Sequence, residues 1–205
     1  MKTLEKTLLI ATGNEGKLIE LREMFDGFPV GLASLRDFPD VPEVIESGST
    51  FEENARLKAI GYASSTCLTA VADDSGLEIE ALGGRPGILS ARYGGEGTSF
   101  DAKMAILLHE LGGTGDRERR ARFVCRIAVS DPNGNVVLES EGVCDGTIAA
   151  EPRGSGGFGY DPYFLVPALG QTGAELPLDI KNGLSHRGQA LAALVEKLKA
   201  EWDLK

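Results

Sequence analysis

The sequence predicts an α/β fold: a central mixed β-sheet with flanking helices, arranged as two lobes around a cleft. Three observations carry this expectation. The chain opens on an apolar run, a glycine-containing loop and an amphipathic stretch, the strand–loop–helix order of α/β proteins. Its second half turns β-rich before closing on an amphipathic helix. No internal repeat or low-complexity linker interrupts the 205 residues, so 1–205 reads as a single domain.

Taken in order, residues 7–11 form the first strand and Thr12-Gly13-Asn14-Glu15-Gly16 the loop, after which Leu18, Leu21, Met24 and Phe25 recur at helical spacing. A second strand is expected over 30–33, and the proline- and acid-rich stretch 37–48 reads as a loop. Residues 50–65 read as a helix, with Phe51, Ala55, Leu57, Lys58, Ile60 and Tyr62 placing an apolar stripe beside polar positions. A strand over 68–73 is expected to end in Asp-Asp-Ser-Gly. Glycine-rich 83–97 reads as an ordered irregular loop, followed by a helix over 99–111. Strands over 121–130 and 135–142 flank the turn Asp131-Pro132-Asn133-Gly134, and another is expected over 143–150. Ser185 is a suitable N-cap for a last helix whose apolar positions are Leu191, Leu194, Val195, Leu198 and Trp202.

Composition narrows the function. A net charge of −10, from 31 acidic against 21 basic residues, repels nucleic acid unless cations gather on one face. The one dense basic run is Arg117, Arg119, Arg120 and Arg122, which fits a solvated strand entrance as well as a phosphate patch. No nucleic-acid partner is expected, although a small anionic ligand needs only a few local cations. Cys67, Cys125 and Cys144 are odd in number and widely spaced, which fits buried thiols in a reducing cytoplasm. Two histidines cannot supply a three-histidine zinc site. The apolar run 8–11 follows Glu5 and ends at Gly13 and Asn14, too soon for a signal peptide. No stretch approaches the roughly 18 apolar residues of a membrane span, so a soluble chain without a membrane partner is expected.

Four segments could carry chemistry. In Thr12-Gly13-Asn14-Glu15-Gly16-Lys17, small residues let backbone N–H groups approach an anion at a helix N-terminus, and Lys17 adds a full charge. A plain strand-to-helix turn explains the glycines alone; the lysine favours a phosphate. The spacing is not that of a Walker A loop, since Leu18 stands where Ser or Thr would hold the metal. In Asp73-Asp74-Ser75-Gly76, a strand-terminal acidic pair suits Mg2+, which takes one or two carboxylates together with phosphates and water. Taken alone the pair fits a turn better, and on a continuing strand adjacent side chains would face opposite ways. Ser185-His186-Arg187 places cations in a first helical turn, against the dipole. That arrangement suits an anion or a polar base edge there, or side chains simply pointing to solvent. In Gly156-Gly157-Phe158-Gly159-Tyr160-Asp161-Pro162 an aromatic between glycines suits stacking on a nucleobase, while core packing is the simpler reading of Phe158 and Tyr160 on their own.

Together, these segments resemble the inosine triphosphate pyrophosphatase family, the XTP/dITP diphosphatases, over most of the chain. The landmarks are Thr12-Gly-Asn-x-x-Lys17-x-x-Glu20, Thr50-Phe-x-Glu-Asn54-Ala-x-x-Lys58-Ala and Ala72-Asp-Asp-Ser-Gly76-Leu, then Pro86-Gly-x-x-Ser-Ala-Arg92-Tyr, Gly157-Phe-Gly-Tyr-Asp161-Pro and Ser185-His-Arg187. Each is weak alone; six in this order are specific. The resemblance implies an elongated two-lobed fold, a homodimer and magnesium-dependent cleavage of ITP, dITP and XTP between the α and β phosphates. By position, Thr12, Gly13, Asn14, Glu15, Gly16 and Lys17 would bind phosphates. Asp74 would be proton acceptor and metal ligand, with Ser75 touching substrate. Phe158, Gly159, Tyr160 and Asp161 would hold the base with Lys181, His186 and Arg187.

Two positions depart from the family pattern. Ile45-Glu46 stands where relatives often carry two acids, the first of them assigned to magnesium, so metal binding passes to Glu46. Asp179-Ile180 precedes Lys181 where relatives often have Glu-Glu. Two alternatives compete: a Maf-like pyrophosphatase acting on other nucleotides, which the Phe158–Asp161 and Ser185–Arg187 segments argue against, and a non-catalytic nucleotide sensor, which the intact Asp73–Asp74 pair argues against.

Overall fold

The computed structural model describes residues 7–202. Among these the strands are β1 (Thr7–Ile10), β2 (Gly31–Ser34), β3 (Thr69–Ile79), β4 (Arg120–Ser130), β5 (Val136–Ile148), β6 (Phe164–Val166) and β7 (Gln171–Thr172). The helices are α1 (Glu15–Met24), α2 (Phe51–Thr66), α3 (Phe100–Thr114), α4 (Leu178–Leu184) and α5 (His186–Glu201). The strands pair in the order β2-β1-β3-β4-β5-β6-β7. β1 runs parallel to β2 and β3, whereas β6 is antiparallel to β5 and β7, so the sheet is mixed and the fold α/β as expected.

By contacts the chain divides into two compact units. The first comprises residues up to Asp74, Cys125–Gly142 and from Gly188 onward; the second comprises Ser75–Val124 and Val143–Arg187.

In the first unit β1 is buried on both faces, which is why it reads as one apolar run. Leu8 and Ile10, with Val71, Ile127 and Val129, meet Leu18 and Leu21 of α1 and Leu191, Leu194 and Leu198 of α5. Leu9, Ala70 and Ala72, of the opposite parity, meet Ala55, Ala59 and Ala63 of α2. Thr50 starts α2 as an N-cap, accepting the Glu53 N–H. The β4–β5 turn is closed by Asp131, whose carboxylate accepts the N–H groups of Asn133 and Asn135. In the second unit, Met104, Leu107 and Leu111 of α3 pack with Leu77, Ile79, Phe123, Ile148, Tyr160 and Phe164. Ser99 caps α3.

Several boundaries differ from those expected. β3 does not stop at Asp73 but continues to Ile79 through Asp-Asp-Ser-Gly, with strand partners on both sides. The two strands expected over 135–142 and 143–150 are one, β5, which runs through Gly142. The short elements α4, β6 and β7 have no counterpart in the expected order. The loop 83–97 is irregular as expected: it holds one short 3-10 turn, Gly87–Leu89, and six of its glycines have positive φ. In the arginine run, Arg122 pairs with Glu78 at 2.7 Å and Arg120 pairs with Glu118, so neighbouring carboxylates balance both cations. No described helix is long and apolar enough to cross a membrane.

Candidate active site

The continuation of β3 decides the geometry of the acidic pair, because alternate residues of a strand face opposite ways. Asp73 shares its parity with Val71 and faces α1: Lys17 Nζ lies 2.9 Å from its Oδ2, and the carboxylate has no exposed side-chain surface. The Cys125 thiol lies 4.0 Å from the same oxygen. Asp74 shares its parity with Ala70 and Ala72 and faces α2. Lys58 Nζ donates to Asp74 Oδ1 at 3.1 Å, and Asn54 Nδ2 donates to Oδ2 at 3.2 Å. The two aspartates therefore meet different ammonium groups, Asp73 that of Lys17 and Asp74 that of Lys58.

Lys58 also reaches Glu46, 2.7 Å from Nζ to Oε1, so one ammonium gathers two carboxylates. Burial pushes the Asp74 carboxyl above its usual range and Glu46 adds to the rise, while Lys58 and Lys17 oppose it. At Lys58 burial acts in the lowering direction, but Asp74, Asp73 and Glu46 together outweigh it and hold the ammonium above its ordinary value. Two hard oxygen donors converging on one cation are the set a small divalent ion accepts when phosphate and water complete its shell. Among the described residues no group of three or more His, Cys, Asp or Glu side chains converges on such a site. The residues therefore fit an ion completed by its substrate rather than a closed protein cage.

Residues 12–17 form the turn into α1. Thr12 Oγ1 accepts the Asn14 N–H at 3.2 Å, and Asn14 Oδ1 caps the helix on the Lys17 N–H at 3.1 Å. A Cβ added at Gly13 would meet open space, so packing does not demand the glycine, and the surface there is open to an approaching group. Glu15 pairs with Arg36. Gly16 lies in the first turn of α1.

The second unit gathers the aromatic and cationic candidates. Asp161 organises them: its Oδ2 accepts the Phe158 N–H at 2.8 Å and Lys181 Nζ at 2.8 Å. Gly157, at φ +66°, is required here, since a Cβ would lie 2.2 Å from Asp161 Oδ2. Lys181 Nζ stands 5.0 Å and the Arg187 guanidinium 5.6 Å from the Phe158 ring centre, which brings two cations to one aromatic. Arg187, 3% exposed, donates to Ser75 Oγ at 2.9 Å. His186 begins α5 and stacks on Phe123, with ring centres 4.7 Å apart at 13°. Tyr160 is buried edge-on against Phe100 and its hydroxyl donates to the Ser90 carbonyl at 2.8 Å. Burial also pushes its phenol upward. Gly159, at φ +67°, turns the chain between Phe158 and Tyr160.

Asn54 and Lys58 belong to the landmarks of the resemblance but not to its expected site residues. Their signal is the i, i+4 spacing, which puts an amide and an ammonium together on the buried face of a helix.

A model of the Ham1 family matches residues 8–197. A dITP/XTP pyrophosphatase of Geobacter sulfurreducens is 53% identical over 191 residues, covering 93% of this chain and 96% of its own length. One of Shouchella clausii is 48% identical over 195 residues, covering 95% and 98%. Among solved structures, a HAM1 protein from Coxiella burnetii superposes with a TM-score of 0.88 at 42% identity, covering 95% of this chain and 99% of its own.

Proposed function

The chain belongs to the Ham1 family, and from that premise we propose that it is a nucleoside triphosphate pyrophosphatase. It takes deaminated purine nucleotides, dITP, XTP and ITP, and releases the monophosphate and pyrophosphate. The observation that carries the mechanism is Asp74, 6% exposed and held on both oxygens, beside a second carboxylate bound to the same lysine.

Asp74 takes the proton from the attacking water. A carboxyl whose pKa is raised by burial is a better proton acceptor than an ordinary aspartate, and Lys58 opposes the rise and so favours the ionised form. Asp74 and Glu46 would hold Mg2+, which would supply charge neutralisation at the phosphates. Thr12, Gly13, Asn14, Gly16 and Lys17 would receive the phosphates through the N–H groups of Gly13 and Gly16, the Thr12 and Asn14 side chains and the Lys17 ammonium. Asp73 aims Lys17. Glu15, an anion paired to Arg36, contributes its backbone only.

Phe158 would stack on the base. Lys181, His186 and Arg187 supply donors that suit the carbonyl at C6 of hypoxanthine and xanthine, where adenine presents a donor. Guanine shares that carbonyl, so its rejection rests on C2. Ser75, fixed by Arg187, would touch the substrate. Tyr160, anchored to the Ser90 carbonyl, and Asp161, which accepts the Phe158 N–H, are buried and hold Phe158 in place. A homodimer in the cytoplasm completes the proposal.

The test is incubation with Mg2+ and ITP, XTP, dITP, GTP, ATP and dTTP, with pyrophosphate and orthophosphate measured separately. Pyrophosphate from ITP, XTP and dITP, with little from GTP or ATP, is the expected result. Orthophosphate as primary product overturns the reading, and binding without turnover points to the sensor. Asp74→Asn is expected to remove most turnover with the fold intact.

A further inference from the structure

Asn54 lies in the first turns of α2 with no solvent exposure, an unusual place for a carboxamide. Its environment fixes which way the amide faces. The Gly48 N–H donates to Oδ1 at 2.8 Å, so Oδ1 must be the end turned to the 45–50 loop. Nδ2 is then turned to Asp74, and donates to Oδ2 at 3.2 Å. Gly48 is shaped for this approach: a Cβ there would lie 2.7 Å from Asn54 Oδ1 and 2.7 Å from Glu53 Cβ. The same loop is tied a second time to α2, with Ser49 N–H and Oγ donating to Glu53 Oε2 at 2.6 and 2.7 Å.

We infer that Asn54 is a positioning residue for the reaction: one buried amide fixes both the catalytic carboxylate of Asp74 and the loop that carries Glu46. Lys58 joins the two carboxylates through a flexible ammonium, which a bound cation can displace. Asn54 joins the same two elements through a short, rotationally restricted amide, which carries no charge for a bound cation to repel. It therefore holds their separation when the charge balance around them changes. The inference rests on the assignment of Asp74 and Glu46 given above, and requires a donor toward Asp74 and an acceptor toward Gly48 in one side chain. Only Asn meets both at this length.

The amide's polarity supplies the test. Asn54→Asp has the same shape and keeps an acceptor for the Gly48 N–H, so a purely structural role of tying down the loop survives it. The positioning role does not, because a carboxylate oxygen then faces Asp74. Asn54→Ala and Gly48→Ala disturb the same link without adding charge. Folding is checked by circular dichroism and thermal melting.

For Asn54→Asp and Asn54→Ala, kcat for ITP at saturating Mg2+ is expected to fall about ten-fold or more, the size of a lost hydrogen bond to a charged group. KM for ITP should stay within about three-fold, since no atom of Asn54 is assigned to substrate. Mn2+ affinity in the presence of α,β-imido-ITP, read from the free-ion electron paramagnetic resonance signal, is expected to weaken several-fold in Asn54→Ala and Gly48→Ala.

Turnover within about two-fold of wild type in folded Asn54→Asp overturns the inference, as does unchanged Mn2+ affinity in Asn54→Ala. If Asn54→Asp fails to fold, the uncharged pair decides by the same two measurements. Asp74→Asn is assayed alongside. Retained turnover in that variant refutes the proton-acceptor assignment, whereas an inactive Asp74→Asn beside active Asn54 variants refutes the positioning role alone.

Discussion

Replacing Lys58 with Met keeps the length of the side chain and removes the one charge that joins Glu46 to Asp74. The side chains of Lys58, Asp74 and Glu46 are 12%, 9% and 27% exposed, so the cluster is largely withdrawn from water. Breaking a buried ion pair from one side costs about 3–5 kcal/mol, because the remaining charge is left without compensation. Glu46 retains contact with solvent and Lys58 itself bears a burial cost, so the expected loss lies at the low end, about 3 kcal/mol. Its pH dependence has a definite sign. Asp74 already has a folded-state pKa above its unfolded value, through burial first, and Lys58 is the largest influence opposing that rise. Without Lys58 the carboxyl rises further. Its ionised form then costs stability above the unfolded pKa, and that cost disappears as pH falls through the raised folded value. The stability deficit of Lys58→Met should therefore be largest near neutral pH and shrink on acidification. Urea unfolding of wild type and variant between pH 5 and 8 measures it. A deficit that is absent, or that grows toward pH 5, would refute the electrostatic account of the cluster.

Arg187→Lys keeps the charge but loses the planar fork that reaches Ser75 Oγ, so KM for ITP is expected to rise about ten-fold with kcat little changed, as read by steady-state pyrophosphate release. Phe123→Leu removes the parallel ring contact under His186 and is expected to cost about 1 kcal/mol beyond the lost area, together with a rise in KM for ITP. Urea midpoints and the KM-to-kcat split check it. Gly157→Ala forces an L-residue to φ +66° and drives a Cβ onto Asp161 Oδ2, so it should destabilise by at least about 1 kcal/mol and raise KM for ITP through the Phe158 segment. Calorimetry and the same kinetics report on both.

Much of the architecture was legible because the first unit is built from strands buried on both faces, and a continuous run such as 8–11 admits few other readings. The starts of α2 and α3, expected at 50 and 99, fall within one residue of those positions. β3 was cut short for a physical reason. Asp, Ser and Gly are poor strand formers and good turn formers, so Asp73-Asp74-Ser75-Gly76 reads locally as an ending. Pairing on both edges, with Lys17 and Asn54–Lys58 receiving the polar side chains, overrides that preference. The segments α4, β6 and β7 are too short to leave a periodic signal and are set by tertiary contacts.

The candidate site was legible in its residue types and less so in their division of labour. Helical periodicity put Lys58 in the stripe of α2 with Phe51, Ala55 and Tyr62, and its side chain is largely withdrawn from water, whereas Leu57 of the same stripe is exposed. What periodicity cannot express is that a buried lysine must find carboxylates, so the face it occupies marks where an acidic pair has to be. The same reasoning bears on the departure at Ile45. That side chain is 82% exposed, so no packing requirement put an apolar residue there, and an acid in its place would face solvent. Glu46, one residue on, is the side chain that turns inward to Lys58. Replacing an acid by Ile45 therefore leaves the Glu46–Lys58–Asp74 link untouched, and the proposed metal site depends on the neighbour that kept its charge.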